Sequence, residues 1–131
     1  MDVFFCISYF DGDISWVRDL KSPYTVYNKS GKKLNDLDSV INLDNVGYNI
    51  SSYLNYVIDN YDDLPEMIVF CKNNVFPRHV TKKIFFEACR KKVFTSIDDP
   101  SSWKNLSFPV STISNGGEYL EINNHYSYFH Y

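Results

Sequence analysis

Uninterrupted apolar runs alternate with amphipathic segments along this 131-residue chain. The runs VFFCISYF (Val3 to Phe10) and MIVFC (Met67 to Cys71) are typical of strands that are buried on both faces of a parallel sheet. Between them, ISWVRDL predicts a short helix capped by Asp13, and YTVYN predicts a strand that ends at Asn28. A strand, a helix and a strand joined by long connections predict a βαβ unit with a parallel strand pair.

The clearest helical period begins after Asn49, which we expect to be the N-cap. Six apolar residues then recur at helical spacing and predict one stripe that faces the core: Ile50, Tyr53, Leu54, Val57, Ile58 and Tyr61. We expect this helix to end near Tyr61, before Pro65. The preceding stretch from Leu34 predicts a loop with at most one helical turn, in which Gly47 takes a conformation that needs no Cβ.

The second half of the chain predicts a helix from about Val80 to Lys92, a strand at VFTSI and a hairpin at STISNGGEYLEI. The helix would turn these residues inward: Val80, Ile84, Phe85, Ala88 and Cys89. Taken together, the elements predict a single α/β domain over residues 1–131. Its core would be three-layered and Rossmann-like, with a mostly parallel sheet, helices on both faces and a C-terminal β-hairpin.

The charged residues are unevenly distributed along the chain. The formal net charge of −3 argues against a nucleic-acid partner. Residues 1–66 carry eleven acidic and five basic side chains, whereas residues 67–131 carry five acidic and eight basic ones. Six of these basic residues lie in one short window: Arg78, Lys82, Lys83, Arg90, Lys91 and Lys92.

The cysteines and the N-terminus indicate the compartment. Cys6, Cys71 and Cys89 are odd in number and lack zinc-binding spacing, which suits a reducing environment. The N-terminal apolar run has no basic n-region and is too short for a signal peptide or a membrane span. We therefore expect a cytoplasmic protein without a membrane partner. Its abundant Asn and single Ala indicate an AT-rich genome, of a bacterium or of a virus, in which case the compartment is the host cytoplasm.

Ligands of open parallel sheets bind beyond the carboxyl ends of the strands, so the polar strand ends are the candidate sites. Asp11 and Asp13 follow the first strand and fit a metal or sugar hydroxyl, or else a turn and a helix cap. Asn28 and Lys29 fit a nucleotide or anion, or an ordinary strand end. A further polar group precedes the long helix, and its backbone N–H groups fit an anion or serve as a cap: Asn45, Gly47 and Asn49.

The densest polar cluster follows the third predicted strand and contains Lys72, Asn73, Asn74, Arg78 and His79. His79 is the candidate catalytic acid or base, and Arg78 with Lys82 could hold a phosphate. The alternative is a solvated basic helix face beside a structural histidine. His125 and His130 have no ligand spacing with His79, so no metal ligands are assigned and the cofactor is unknown. The chain contains no P-loop, GxGxxG, HExxH or GxSxG motif.

Four segments, in this order, resemble the DUF3431 family of uncharacterised proteins: YFDGDISWVRDL, YTVYNKSG, NVGYNISSYLNYVIDNYDDLPEMIVF and RHV. The resemblance covers about residues 2 to 80, and the NY-D-x-LP-x-x-x-VF part is its most specific portion. The family's strand–helix order is similar to the nucleotide-binding half of GT-A glycosyltransferases. That similarity implies a GT-A-like core in which the first two strand ends hold a nucleotide, and an Asp-x-Asp binds a divalent metal.

The chain departs from these patterns in three places. Asn49 stands where the family usually has Glu, CKNN replaces a Gln–Gly turn, and no Asp-x-Asp lies near that strand end. We also expect the acceptor-binding C-terminal half of a full-length member to be missing. The departures argue against an active enzyme, so whether the protein is a transferase stays open.

Three functions remain in view. The first is a glycosyltransferase-like protein that binds a nucleotide-sugar or related anionic ligand. The second is a small non-catalytic module that docks a protein partner through aromatic and basic surface residues. A hydrolase or nuclease built on the acidic first half is the weakest, because no carboxylate spacing supports it.

Overall fold

The computed structural model describes residues 3–76, 81–91, 95–97, 110–113 and 119–122. The chain divides into two compact units, Met1–Asn74 and Val75–Tyr131. That the whole chain forms a single domain stays a prediction.

The first unit is built on a four-stranded, wholly parallel sheet. Its strands are β1 (Val3–Tyr9), β2 (Tyr24–Asn28), β3 (Val40–Asn42) and β4 (Met67–Lys72), in the spatial order β3-β2-β1-β4. Each neighbouring pair is parallel. The predicted α/β class, with the apolar runs as strands of a parallel sheet, is confirmed. The expectation that Met67–Cys71 is buried on both faces is wrong, because β4 is an edge strand of this four-stranded sheet and Phe70 is 41% exposed.

An α-helix, α1 (Tyr48–Asp59), covers one face of this sheet. Strand pleating turns Phe4, Cys6 and Ser8 to that face. Tyr56 of α1 stacks on Phe4 with ring centroids 4.7 Å apart, and it shares a buried cluster with Cys6 and Tyr27. The opposite face carries residues that are also fully buried: Phe5, Ile7 and Val26. Helices on both faces, as in a three-layer fold, stay a prediction.

The face that α1 turns inward differs from the sequence prediction. Ser52 and Tyr56 are its buried residues, whereas Ile50, Leu54 and Ile58 are exposed. The predicted inward stripe is therefore wrong for these three residues, and also for Tyr61, which lies beyond the end of α1 and is exposed. Ser52 is small enough to let the helix approach β1 closely, and Tyr56 supplies the stacking contact, so the helix is rotated away from its most aliphatic side.

The ends of α1 also differ from the prediction. Gly47, not Asn49, occupies the N-cap position, and its φ of 72° confirms the expected glycine conformation. The helix ends at Asp59, and a 3₁₀ turn at Tyr61–Asp63 follows. Asn49 is the second residue of the helix, so its assignment as N-cap was wrong.

One connection was also predicted incorrectly. Val40–Asn42 is a strand rather than loop or helix, because it pairs along β2 in register with Val26 to Asn28. The short helix predicted after β1 is present, as the 3₁₀ helix Ser15–Asp19. Asp13 does not cap it; its carboxylate instead accepts hydrogen bonds from the backbone N–H and the hydroxyl of Ser15, which forms an Asx turn.

The second unit contains α2 (Lys82–Cys89) and three strands, β5 (Thr95–Ile97), β6 (Val110–Ile113) and β7 (Tyr119–Ile122). The Thr81 hydroxyl accepts a hydrogen bond from the Ile84 N–H and caps α2. Phe85 and Ala88 are buried, as predicted. The strand order is β5-β6-β7, with a parallel β5–β6 pair and an antiparallel β6–β7 pair. The predicted turn at residues 115–117 lies outside the described residues, so the hairpin stays a prediction.

Candidate functional site

The carboxyl ends of the four parallel strands form one edge of the first unit. From β1 the chain adds β2 and β3 on one side, and then crosses through α1 to place β4 on the other side of β1. The sheet therefore changes its direction of growth between β1 and β4. In open α/β sheets the ligand crevice lies beyond the carboxyl ends at such a point, between the loops that leave the two strands.

Asn73 joins the two loops at this point. Its side-chain amide donates hydrogen bonds to the carbonyls of Asp11 and Asp13, at 2.8 and 2.9 Å. Its backbone N–H donates to Ser8 at 3.2 Å, and its carbonyl accepts from Trp16 Nε1 at 2.7 Å. Asn73 is buried, so it fixes the loop after β1 against the end of β4.

Asp11 and Asp13 themselves lie on the exposed side of that loop. Their backbone carbonyls are bound by Asn73, while both side chains reach solvent. Gly12 between them has a φ of 89°, a conformation that L side chains rarely adopt. The loop thus presents two carboxylates from a backbone that is held in place.

Asn28 anchors the loop that follows β2. Its amide nitrogen donates to the Lys32 carbonyl at 2.6 Å and to Asn42 Oδ1 at 3.0 Å. Its side-chain oxygen accepts from the backbone N–H and the hydroxyl of Ser30. All of these partners are protein atoms, and Asn28 is buried, so its side chain organises the edge rather than facing solvent.

Lys29 is a buried cation beneath the start of α1, with only 4% of its surface exposed. Its ammonium donates to the Val46 carbonyl at 2.8 Å, and also to the Tyr48 carbonyl and the Ser51 hydroxyl. Burial lowers the pKa of this ammonium, because desolvation disfavours the charged form. The lysine ties the end of β2 to the loop between β3 and α1.

That loop requires glycine at position 47. Gly47 has a φ of 72°, and a Cβ there would lie 2.8 Å from the Ser51 Cβ. Tyr48 follows with a φ of 51°. The Lys29 bonds to the Val46 and Tyr48 carbonyls hold this left-handed stretch at the edge, where Asn45 is exposed and Asn49 is half-buried.

Ser8 and Ser52 link β1 to α1 just below the edge. Both are buried, and their hydroxyl oxygens are 2.8 Å apart. The sequence analysis assigned no role to these two serines. A polar residue inside the otherwise apolar run of β1 was the only signal that could have identified Ser8.

Lys72 ends β4 on the same sheet face as Ser8, with which it is in register. It is half-buried. Within the described part of the chain, its ammonium makes no hydrogen bond and no ion pair. Lys72 thus differs from Lys29, whose ammonium is bound by protein oxygens.

Some of the predicted site residues lie together in the structure, and others do not. Asp11, Asp13 and Asn73 form one group at the end of β1 and β4, and Lys29 forms another with the loop that contains Gly47. Lys82 belongs to the second unit, where its ammonium lies 5.9 Å from the centroid of the Phe76 ring. Arg78 and the candidate catalytic residue His79 lie outside the described residues.

The described residues contain no group of three or more His, Cys, Asp or Glu side chains arranged to hold a metal ion. No helix found among them has both the length and the apolar character needed to cross a bilayer.

The molecule is an α/β protein whose polar residues converge at the carboxyl edge of a parallel sheet. It belongs to the DUF3431 family, because the model of that family, described as a protein of unknown function, matches residues 7–99. The resemblance read from the sequence is confirmed at this level. No curated protein and no solved structure matches the chain.

Proposed function

We propose that this protein binds a nucleotide-sugar or a related anionic ligand at the carboxyl edge, across the loops that leave β1 and β4. The observation that carries the proposal is the ammonium of Lys72, which pairs with no residue in the described part of the chain, at the point where the sheet reverses its direction of growth. The order β3-β2-β1-β4 equals the first four strands of the dinucleotide-binding arrangement, which supports a Rossmann-like or GT-A-like site here.

Lys72 would offset the charge of a phosphate group. A half-buried ammonium is less screened than one in open water, so its attraction for an anion is stronger. The sheet face that it shares with Ser8 leads to the N-terminal end of α1, where the helix dipole adds positive potential. These features favour an anionic ligand over a neutral one.

The remaining residues divide into two roles. The exposed or half-buried residues Asp11, Asp13, Asn45 and Asn49 would contact hydroxyl and amide groups of the ligand. The buried residues Asn28, Lys29 and Asn73, whose polar groups already bind protein atoms, would position the loops without touching the ligand. Group transfer, with His79 as acid or base and Arg78 or Lys82 beside a phosphate, is a further part of the proposal.

A thermal-shift experiment tests the binding proposal. UDP-, GDP- and CMP-sugars would be added to the wild type with and without Mn²⁺, because a ligand at 100 times its Kd stabilises a protein by about 2.7 kcal/mol. We expect at least one of them to raise the melting temperature by several degrees. The Lys72→Met variant should lose that increase.

The matched control is Lys21→Met. Lys21 is exposed and precedes β2, at the amino edge of the sheet, so its loss should leave the ligand-induced shift unchanged. No shift with any of the nucleotide-sugars, or an equal loss in the Lys21→Met variant, would contradict the proposal.

The alternative function, a non-catalytic module that docks a protein partner, stays a proposal of its own. The basic residues that carry it, two in α2 and one at its C-cap, are exposed: Lys82, Lys83 and Arg90. Its C-terminal aromatic residues lie outside the described residues. If the module reading is right, charge reversal at Lys83 and Arg90 should weaken partner binding while the Lys72→Met variant retains it.

A further inference from the structure

Strand β1 and helix α1 meet through pairs of residues that follow one another toward the carboxyl edge. In the deeper pair, Phe4 stacks on Tyr56 with ring centroids 4.7 Å apart. In the pair nearer the edge, the hydroxyl oxygens of Ser8 and Ser52 are 2.8 Å apart. Because β1 ends at this edge and α1 begins there, the next pair lies later in the strand and earlier in the helix.

An aromatic residue occupies each of these two outer positions. Phe10 follows Ser8 by two residues, and strand pleating places it on the same face of the sheet. Tyr48 precedes Ser52 by about one helical turn, or roughly 6 Å toward the edge. One aromatic residue from the sheet and one from the helix therefore lie just beyond the buried serines. We call Phe10 and Tyr48 the aromatic pair.

The aromatic pair is exposed, unlike the stacked pair deeper in the interface. Phe10 is 53% exposed and Tyr48 is 91% exposed. Within residues 3–76, neither ring contacts another aromatic ring, whereas Phe4 and Tyr56 stack directly. Aromatic faces gain free energy from stacking as well as from burial. The aromatic pair is therefore a surface on which a planar ring of a ligand could stack.

The backbone of Tyr48 is held in a conformation that is unfavourable for a large side chain. Its φ of 51° lies in the left-handed region, which residues other than Gly, Asn and Asp rarely adopt. The buried ammonium of Lys29 fixes this conformation by donating a hydrogen bond to the Tyr48 carbonyl. Strained residues that are held by their surroundings cluster at ligand sites. The strain and the exposure of Tyr48 together indicate a role other than stability.

The aromatic pair adjoins the lysine that is proposed to bind an anion. Lys72 is in register with Ser8 on the neighbouring strand, which lies about 4.8 Å away. Phe10 lies two residues beyond Ser8, or about 7 Å further along the chain. A single nucleotide can therefore reach from Lys72 to the aromatic pair.

We propose that Phe10 and Tyr48 stack on the base of a nucleotide whose phosphates lie at Lys72. This inference rests on the proposed function and narrows its ligand to a nucleotide, as opposed to a sugar phosphate or an inorganic anion. Every base has an aromatic face, so the pair selects for the presence of a base and not for its identity. Lys29 is a positioning residue, because it holds the backbone of Tyr48 without reaching the ligand.

Isothermal titration calorimetry of the full chain with UDP, GDP and inorganic pyrophosphate tests the proposal. Both nucleotides should bind the wild type at least about tenfold more tightly than pyrophosphate does. Phe10→Ala and Tyr48→Gly should each weaken nucleotide binding about 5- to 100-fold and leave pyrophosphate binding unchanged, whereas Tyr48→Phe should bind like the wild type. Tyr61→Gly is the matched control, because Tyr61 is 72% exposed beyond the other end of α1.

Urea unfolding separates a lost ligand contact from a damaged fold. Glycine adopts the left-handed region without strain, so Tyr48→Gly should not lower the urea midpoint although it loses nucleotide affinity. Tyr61 has no positive φ, so Tyr61→Gly should lower the midpoint and keep the affinity. A purely structural role of Tyr48 would make its stability and its affinity fall together, which would contradict the proposal.

The titrations also distinguish this inference from the proposed function on which it rests. Pyrophosphate that binds as tightly as UDP, or aromatic-pair variants that keep the wild-type affinity for UDP, would overturn the stacking and leave the anion site in place. An equal loss of affinity in the Tyr61→Gly variant would overturn the stacking as well. If neither the nucleotides nor pyrophosphate bind the wild type, both proposals are wrong.

Discussion

The hydroxyl of Ser8 on β1 and the hydroxyl of Ser52 on α1 share a buried hydrogen bond of 2.8 Å. This contact places the smallest side chain of the inner helix face directly against the central strand. It sets which side of α1 meets the sheet, and it brings the start of the helix over the carboxyl edge. On the opposite side of the helix, Ile50, Leu54 and Ile58 are exposed.

Replacing both serines should lower the free energy of unfolding by less than the sum of the two single replacements. Ser52→Ala leaves the Ser8 hydroxyl buried without its partner, which should lower the free energy of unfolding by about 1–3 kcal/mol. In the double variant Ser8→Ala with Ser52→Ala, no orphaned hydroxyl remains. Urea unfolding of the wild type, the two single variants Ser8→Ala and Ser52→Ala, and the double variant should give a coupling energy of about 0.5–3 kcal/mol. Strictly additive losses would show that the two hydroxyls do not interact.

Asn73 should be one of the most sensitive polar positions in the first unit. Asn73→Asp replaces an amide that donates to two carbonyls with a carboxylate that can only repel them. We expect a loss of about 2–4 kcal/mol in urea unfolding, with faster amide exchange in residues 11–13. The neighbouring Asn74 is exposed, so Asn74→Asp should change stability by less than about 0.5 kcal/mol. Equal effects at the two positions would contradict the assigned role.

Alanine substitutions at two glycines should distinguish the stability lost to a left-handed backbone conformation from the stability lost to a steric clash. Gly31 and Gly47 have φ angles of 74° and 72°, but a Cβ meets nothing within 4 Å at Gly31 and lies 2.8 Å from the Ser51 Cβ at Gly47. Gly31→Ala should therefore cost about 1–2 kcal/mol, and Gly47→Ala distinctly more. Thermal unfolding of both variants measures the difference. A Gly31→Ala variant that is less stable than Gly47→Ala would count against the described loop.

Stability should fall as the pH rises above about 9. Burial raises the pKa of the Cys6 thiol from 9.0 to about 12, and it also raises the pKa values of Tyr27, Tyr53 and Tyr56. The unfolded chain releases these protons first, so it binds fewer protons than the folded chain, and unfolding becomes easier as the pH rises. The lowered pKa of Lys29 has the opposite sign, but it is one group against five, because burial raises the pKa of the Cys89 thiol as well.

Urea unfolding at pH 7, 9 and 10 measures this dependence. Each group contributes up to about 1.4 kcal/mol per pH unit once its unfolded form titrates. Cys6→Ala removes one such group, so its stability should fall less steeply between pH 9 and 10 than that of the wild type. Stability that stays constant or rises between pH 7 and 10 would show that these groups are not buried as described.

The sequence predicted the parallel sheet because β1 and β4 are almost wholly apolar, with Ser8 and Lys72 as exceptions, a pattern that is typical of parallel strands. It failed at β3, since a three-residue edge strand with polar neighbours has no local signal. It also failed for α1, which has two apolar sides. Which side is buried depends on a contact between Ser8 and Ser52, 44 residues apart, and helical periodicity carries no information about such a contact.

The sequence predicted which residues lie at the candidate site, but not the contacts that they make there. Strand-end logic brought Asp11, Asp13 and Asn73 together correctly, because parallel strands end at one edge. The bonds of Asn28, Lys29 and Asn73 run largely to backbone carbonyls, which every residue possesses. The sequence could therefore identify these side chains as candidates, but it could not show that their hydrogen-bonding groups already bind protein atoms.

Backbone amide NMR with a nucleotide-sugar titrated into the full chain tests the central claim most directly. The account predicts concentration-dependent shifts in residues 11–13 and 72–74, with little change at residues 21–25 on the amino edge of the same sheet. Shifts that are confined to the amino edge, or no shifts at millimolar ligand, would contradict it.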